Sequence, residues 1–154
     1  MLDRKKHPFY ANAQAEFFLA RRAGKVVGRV AAIIDRNHNR FHNEEAGFFG
    51  FFECINDGEV ARALLERART WVAERGAKFM RGPVNPSTNY ECGMLIEGFD
   101  LPPMVMMTYS HRYYPELMER AGLTKAKDLL AYLSNANTIT TKKIERVADR
   151  VLAT

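Results

Sequence analysis

The sequence predicts a mixed α+β domain in which a central, mostly antiparallel sheet is flanked by helices. Two strand-forming runs, residues 16–22 and 26–35, are separated by the short turn Ala23-Gly24-Lys25, a pattern typical of a β-hairpin. A third run, residues 46–55, is rich in aromatic residues and favours a strand. An amphipathic helix then leads into another apolar strand, so the last two strands should be parallel.

The hairpin and the aromatic run are consecutive in the chain and can pair antiparallel. Between them, residues 36–45 (RNHNRFHNEE) are interpreted as a polar loop. His38 and His42 have the four-residue spacing that can chelate zinc on a helix, but no third ligand accompanies them. A solvated loop is therefore the favoured interpretation.

The predicted helix begins at Glu59, after the break at Asn56-Asp57-Gly58, and runs to residue 74 or 75. Gly76 is predicted to cap its C-terminus. Its apolar positions recur at three, four and seven residues: Val60, Leu64, Ala68, Trp71 and Val72. The following strand is predicted over residues 78–84.

The remaining elements are predicted from shorter signals. Residues 104–109 (MVMMTY) indicate a strand, residues 113–122 a short helix, and residues 125–133 a last strand or a helix. Residues 142–153 form an amphipathic pattern with Ile144, Val147, Val151 and Leu152 on one face. The methionines of residues 104–107 are interpreted as core residues, although methionine also suits an adaptable apolar pocket.

Composition bounds the class of protein. A chain of 154 residues, 47% hydrophobic and 27% charged, indicates one globular domain. The net charge of +5 suits nucleic acid or an anionic nucleotide-bearing cofactor, but the basic residues are spread among 18 acidic ones, so nucleic acid is not the expected partner. No uncharged run approaches the roughly 20 residues of a membrane span, and no membrane partner is expected. Two distant cysteines suit a cytoplasmic protein.

The order of these elements resembles the GNAT fold of acetyl-coenzyme A-dependent N-acetyltransferases. The matching stretches are ALLERARTWVAERGAKFMRGPV and YYPELMERAGLTKAKDLLAY, and FFGFFE, RGPVNPSTN and ECG resemble a bacterial GNAT-like group with longer members. The resemblance covers a domain at residues 8–133, with a linker and helix at 134–154. It implies acyl transfer from acetyl-coenzyme A, or another acyl-coenzyme A, to an amine, between two splayed parallel strands.

The chain departs from the family at the loop that should bind the cofactor pyrophosphate. That loop falls on residues 56–61, where Glu59 occupies a glycine position and only Ala61 keeps the small residue. Asp57 and Glu59 would either cap the helix or belong to a modified anion site. The cofactor-binding residues that the resemblance implies are Phe52, Cys54, Ile55, Gly58, Val60, Ala61, Asn85 and Asn89.

The candidate catalytic residues are Glu53, Glu91 and Tyr114. Glu53 is the first choice for a general base and Glu91 the second, because both should lie near the edge of the central strands. Where many family members have a tyrosine that serves as the general acid, this chain has Met118. Tyr114 could take that role only if the alignment with the family were shifted. Cys92 is interpreted as a packing residue rather than a nucleophile.

Three further points stay open. Ser87 or Thr88 could cap a helix beginning at Asn89 instead of facing a ligand. Only 14 residues precede the hairpin, so a longer protein or a partner chain is expected to complete the acceptor wall, and a homodimer is favoured. The alternative to an enzyme is a ligand-binding or dimerisation domain that has lost its cofactor chemistry.

Overall fold

The computed structural model describes residues 3, 5–132, 146 and 149–151. A four-stranded sheet in the order β1-β2-β3-β4 forms its centre. The strands and helices are a short 3-10 helix Pro8–Ala11, β1 Ala13–Arg22, β2 Lys25–Asp35, α1 Arg36–His42, β3 Ala46–Cys54, α2 Gly58–Ala73, β4 Phe79–Arg81, β5 Val84–Asn85, β6 Glu91–Cys92 and α3 Tyr114–Arg120. The mixed fold with a mostly antiparallel sheet is as predicted.

The hairpin of β1 and β2 pairs antiparallel from Ala13 opposite Asp35 to Arg22 opposite Lys25. Its turn uses Ala23 and Gly24, both with positive φ, which suits the right-handed twist of the strands. The third strand, β3, then pairs antiparallel with β2. All three predicted strands are confirmed.

Both faces of this sheet are buried, and each carries its own apolar cluster. Val30, Ala32 and Ile34 of β2 point to the face on which α2 and α3 pack. Ala31 and Ile33 alternate to the opposite face, where they meet Val84 of β5 and the partly buried Phe9. The uninterrupted apolar run of β2 reflects this burial on two sides.

Helix α2 lies across the sheet through the apolar stripe that its sequence predicts. Seven of its residues are buried: Val60, Ala61, Leu64, Leu65, Ala68, Trp71 and Val72. Its C-cap is Glu74, and Gly76, two residues beyond, adopts positive φ and donates its N–H to the Ala73 carbonyl. The predicted helix is confirmed, with the glycine just outside its cap.

The pairing between β3 and β4 is parallel, as expected for a strand–helix–strand unit. It runs only from Ala46 opposite Phe79 to Phe48 opposite Arg81. The chain then leaves the sheet at Gly82-Pro83 and resumes as β5, which pairs with β6. The single strand predicted over residues 78–84 is thus divided, and in the described part of the chain no strand continues the ladder along β3 beyond Phe48 on this side.

Residues 36–45 correct one prediction, because most of them form α1 rather than a loop. Asp35 caps this helix by accepting hydrogen bonds from the N–H groups of Asn37 and His38, and Asn43 ends it with left-handed backbone. The rings of His38 and His42 lie 4.4 Å apart. Capping residues, rather than an apolar stripe, define this short helix.

Two further predictions are wrong, and one alternative that the sequence left open is not observed. Residues 104–109 form no strand, and Met104, Met106 and Met107 are exposed instead of lining the core. Residues 88–89 form a turn in which Ser87 Oγ accepts a hydrogen bond from the Asn89 N–H, so the open alternative of a helix that begins at Asn89 is not observed. Residues 125–132 are neither strand nor helix.

The C-terminal linker and most of the predicted C-terminal helix lie outside the described residues. Arg146 and residues 149–151, which are described, are helical. The apolar positions Ile144, Val147 and Leu152 of that pattern fall among those that are not described.

Candidate functional site

The unpaired edge of β3 is closed by side chains instead of a strand. The Phe51 N–H donates to Asn85 Oδ1 at 2.7 Å. The Cys54 N–H donates to the Tyr114 hydroxyl at 3.2 Å, and the Tyr113 hydroxyl donates to the Cys54 carbonyl at 2.9 Å. Buried backbone groups need such partners, so the two tyrosines and Asn85 stabilise an edge that the divergence of β4 leaves open.

A bulge shapes the same stretch of β3. Ala31 faces Gly50, but Arg29 faces Glu53, so β3 contains one residue more than β2 over this interval. Phe51 takes up the irregularity with φ of +48°. Bulges change the direction of side chains at sheet edges. Glu53 is the first carboxylate after the bulge in β3.

Glu53 is held between two partners at the end of β3. Its Oε2 accepts a hydrogen bond from the Tyr114 hydroxyl at 2.7 Å. Its Oε1 lies 3.8 Å from Nη2 of Arg29, the residue opposite it on β2. More than half of the Glu53 side chain is exposed. Tyr114 and Arg29 therefore orient the carboxylate, while its exposed side stays accessible to an incoming group.

The environment of Tyr114 fixes it as a hydrogen-bond donor. Its residue is 5% exposed, and burial, followed by the hydrogen bond to Glu53, raises the pKa of the phenol above its ordinary value. The hydroxyl therefore keeps its proton and directs it at Glu53. Burial also raises the pKa of the Cys54 thiol to about 11, which makes this cysteine a poor nucleophile.

The N-terminus of α2 is occupied by the protein's own carboxylate. Asp57 Oδ1 accepts the N–H groups of Glu59 and Val60 at 2.9 and 3.1 Å. Its Oδ2 accepts a hydrogen bond from Arg22 at 2.7 Å. Of the two sequence interpretations, helix capping is the one observed, and the residues at this terminus do not fit a pyrophosphate.

The Asp57 contacts predict an acid-dependent loss of stability. The Arg22 hydrogen bond, followed by those from the helix, lowers the pKa of the Asp57 carboxyl. A depressed pKa contributes stability that is present above the unfolded value, near pH 4, and is lost as the pH falls through the folded pKa. Asp57→Ala should lower the thermal unfolding midpoint at pH 7, and its difference from the native protein should shrink below about pH 4.

Asp57→Asn is the matched control, because an asparagine still caps a helix but cannot form the ion pair. Its unfolding midpoint should lie between those of the native protein and Asp57→Ala. A difference between Asp57→Ala and the native protein that stays constant from pH 7 to pH 3 would contradict the assignment.

The other predicted cofactor residues do not converge as a group. Phe52, Cys54, Val60 and Ala61 are buried in the core, whereas Ile55 is exposed beyond the end of β3. Asn85 is committed to the Phe51 N–H, and Asn89 lies exposed in the turn between β5 and β6. Glu91 lies opposite Asn85 on β6.

Three residues of this region were not identified from the sequence: Tyr113, Arg29 and Arg22. Tyr113 reaches a carbonyl 59 positions away, a contact that no local pattern reveals. Arg29 was detectable in principle, because an arginine in an otherwise apolar strand marks the point where one face of that strand becomes exposed.

The opposite end of β3 carries a polar depression of about 460 Å³. Its lining includes Asn39, Glu45 and Lys78. These groups already have structural partners, since Asn39 pairs with both the N–H and the carbonyl of Ala46 and Lys78 forms an ion pair with Glu45. His38 is likewise engaged by Glu44 at 2.6 Å, and no three potential metal ligands cluster within the described ranges.

None of the helices in the described part of the chain combines the length and the apolar character needed to cross a bilayer.

Comparison with known proteins places this chain beside two longer ones. No family model matches it, and no solved structure matches it. It is 36% identical to Protein YghO of Escherichia coli (strain K12) over 135 residues, which are 87% of this chain and 35% of that protein. It is 37% identical to Bacterial ceramide synthase of Caulobacter vibrioides (strain NA1000 / CB15N) over 150 residues, which are 97% of this chain and 38% of that protein. The chain thus spans little more than a third of the length of these relatives.

Proposed function

We propose that this chain carries the acceptor side of an N-acyltransferase, in which Glu53 receives a proton from the amine that is acylated. The observation that carries the proposal is the Glu53 carboxylate, exposed at the open end of β3 and held by the Tyr114 hydroxyl at 2.7 Å. A carboxylate both attracts a cationic ammonium group and accepts its proton.

The order of the elements supports a GNAT-like fold for this site. A hairpin, a third strand, a helix and a parallel strand follow one another, and the parallel pairing stops after three residues. Ligands of open sheets bind where neighbouring strands diverge at their carboxyl ends. Glu53 lies beyond Phe48, the last residue paired with β4, and next to the carboxyl end of β3.

The relative named Bacterial ceramide synthase supports the class of acceptor. A ceramide is the amide of a fatty acid and a long-chain amino alcohol, so the acceptor proposed here is the amine of such a lipid. Such a transfer requires an activated acyl group, and the donor proposed here is an acyl thioester, for example an acyl-coenzyme A.

The proposed step needs only groups that this site and its substrates supply. Glu53 removes one proton from the ammonium ion, and the free amine attacks the thioester carbonyl carbon. The C–N bond forms, the C–S bond breaks, and the thiolate leaves with the second amine proton. Tyr114 and Arg29 keep the Glu53 carboxylate oriented.

A second candidate, a non-catalytic ligand-binding or dimerisation domain, is favoured by one observation. Asp57 occupies the amides at the start of α2, where a GNAT enzyme would bind the donor's pyrophosphate. If that cap is permanent, a coenzyme A donor has no anion site there.

The test is amide formation by the purified protein. Palmitoyl-coenzyme A and acetyl-coenzyme A are each supplied with sphinganine or with a short soluble amine, and the amide is measured by mass spectrometry. We expect the long-chain amide to form, with stoichiometric release of thiol. A protein that is folded by circular dichroism and forms no amide from any pair would favour the non-catalytic alternative.

A further inference from the structure

A loop of residues 95–110 lies immediately before α3 and is closed at its base by polar contacts. The Leu95 N–H donates to Ser110 Oγ at 3.2 Å, and the Tyr109 hydroxyl donates to the Phe99 carbonyl at 2.9 Å. Asp100 pairs with Arg112 at 2.8 Å, and the Arg112 guanidinium lies 4.6 Å from the centre of the Phe99 ring. Side-chain hydrogen bonds and an ion pair therefore hold the two ends of the loop together.

The tip of this loop, residues 101–107 (LPPMVMM), is apolar and exposed. Val105 is 93% exposed, and the other large exposed side chains are Leu101, Met104, Met106 and Met107. No charged residue occurs from position 101 to position 110. Isolated apolar residues on a surface are ordinary, but a contiguous exposed set marks an interaction site.

The distribution of polarity along the loop favours a bilayer surface as its partner. The charged Asp100 and Arg112 lie at the base together with the half-exposed Tyr109, and the tip itself is apolar. This is the order in which groups meet a membrane interface, where tyrosine prefers the headgroup level. The net charge of +5 adds attraction to anionic headgroups.

The loop is also continuous with the candidate site. Position 111 follows the loop directly, and the His111 ring stacks on Tyr113 with centroids 5.0 Å apart. Tyr113 in turn bonds Cys54, next to Glu53. The base of the loop is therefore connected, through His111 and Tyr113, to the end of β3 that carries Glu53.

From these observations we infer that residues 101–107 insert into the surface of a lipid bilayer and thereby bring Glu53 to an amine held in that bilayer. The inference rests on the proposed function for its substrate, and it replaces the expectation of no membrane partner, which considered only a spanning segment. The contact is interfacial, so it requires no transmembrane helix.

The test is cosedimentation with vesicles of phosphatidylcholine alone and of phosphatidylcholine with phosphatidylglycerol, without substrate. Val105→Asp should lower the partition coefficient about tenfold on both compositions, because an aspartate at the interface must be dehydrated. Phe41→Asp is the matched control, since Phe41 is 84% exposed on α1 and the charge change is identical. Its partition coefficient on phosphatidylcholine alone should equal that of the native protein, and on the anionic vesicles it should fall only by the small amount that one unit of net charge accounts for.

Val105→Ser separates apolar character from charge and should also weaken binding to both kinds of vesicle. Equal loss for Val105→Asp and Phe41→Asp would overturn the inference, as would binding that is confined to anionic vesicles and abolished by salt. Light scattering that shows a dimer dissociated by Val105→Asp, with no vesicle binding, would also overturn it and would assign the tip to a contact between copies.

An activity measurement distinguishes this inference from the proposed function. Val105→Asp should raise the apparent KM for vesicle-borne sphinganine and leave turnover of a short soluble amine unchanged. If the native protein forms no amide at all, the proposed function fails, but the vesicle measurement still decides whether the tip binds a bilayer.

Discussion

Replacing Glu53 by glutamine should lower kcat for amide formation by a factor of about 100 or more, the range expected when a general base is removed. The carboxamide has the size of the carboxylate and can still accept the Tyr114 hydrogen bond, but it can neither attract nor deprotonate an ammonium ion. Initial rates at saturating donor and amine measure the effect. The unfolding midpoint in urea should change little, because Glu53 is largely exposed.

Glu91→Gln is the matched control for this experiment. Glu91 is the second carboxylate that the sequence suggested, but it lies on β6, opposite Asn85, in the two-stranded sheet. Its replacement should leave kcat within about threefold of the native value, well below the loss expected for a general base. If Glu91→Gln abolishes turnover and Glu53→Gln does not, the base has been assigned to the wrong residue.

Tyr114→Phe tests the positioning of Glu53 separately from its chemistry. Without the hydroxyl, the buried Cys54 N–H loses its partner, and the protein should be destabilised by roughly 1–3 kcal/mol. The Glu53 carboxylate would remain but would lose its fixed orientation. We therefore expect a smaller fall in kcat than for Glu53→Gln, and an altered pH profile that a purely structural role would not produce.

The elements predicted from long patterns agree with the structure, because those patterns depend on burial. The apolar run of β2 and the stripe of α2 each describe residues that are buried. Helix α1 was missed because it has seven residues, none of them buried. Its caps, Asp35 and Asn43, were the available signal.

The errors downstream have a different cause. Residues 104–109 are apolar enough for a strand, but a short apolar run does not specify its partner, and the described residues offer this one no strand to pair with. The sequence likewise could not specify the partners of the site residues. The position of Glu53 at the end of a strand suggested it as a general base, but its hydrogen bond to Tyr114 joins residues 61 positions apart and has no local signal.

Gly50 is the position in the sheet where a single methyl group should be most damaging. A Cβ at Gly50 would lie 1.6 Å from the Val84 carbonyl oxygen and 2.7 Å from its carbon. Both are backbone atoms of β5, so no side-chain rotation relieves the overlap. Gly50→Ala should therefore cost about 3 kcal/mol or more of unfolding free energy, at the upper end of overpacking effects.

The damage should extend from stability to the site. β5 would have to move away from β3, and Asn85, which follows Val84, would then lose its hydrogen bond to the Phe51 N–H. Urea unfolding followed by circular dichroism measures the loss. Gly58→Ala is the matched control, because a Cβ at Gly58 meets nothing within 4 Å. Equal midpoints for the two variants would show that β5 does not press against β3, and the closed edge that orients Glu53 would have to be explained in another way.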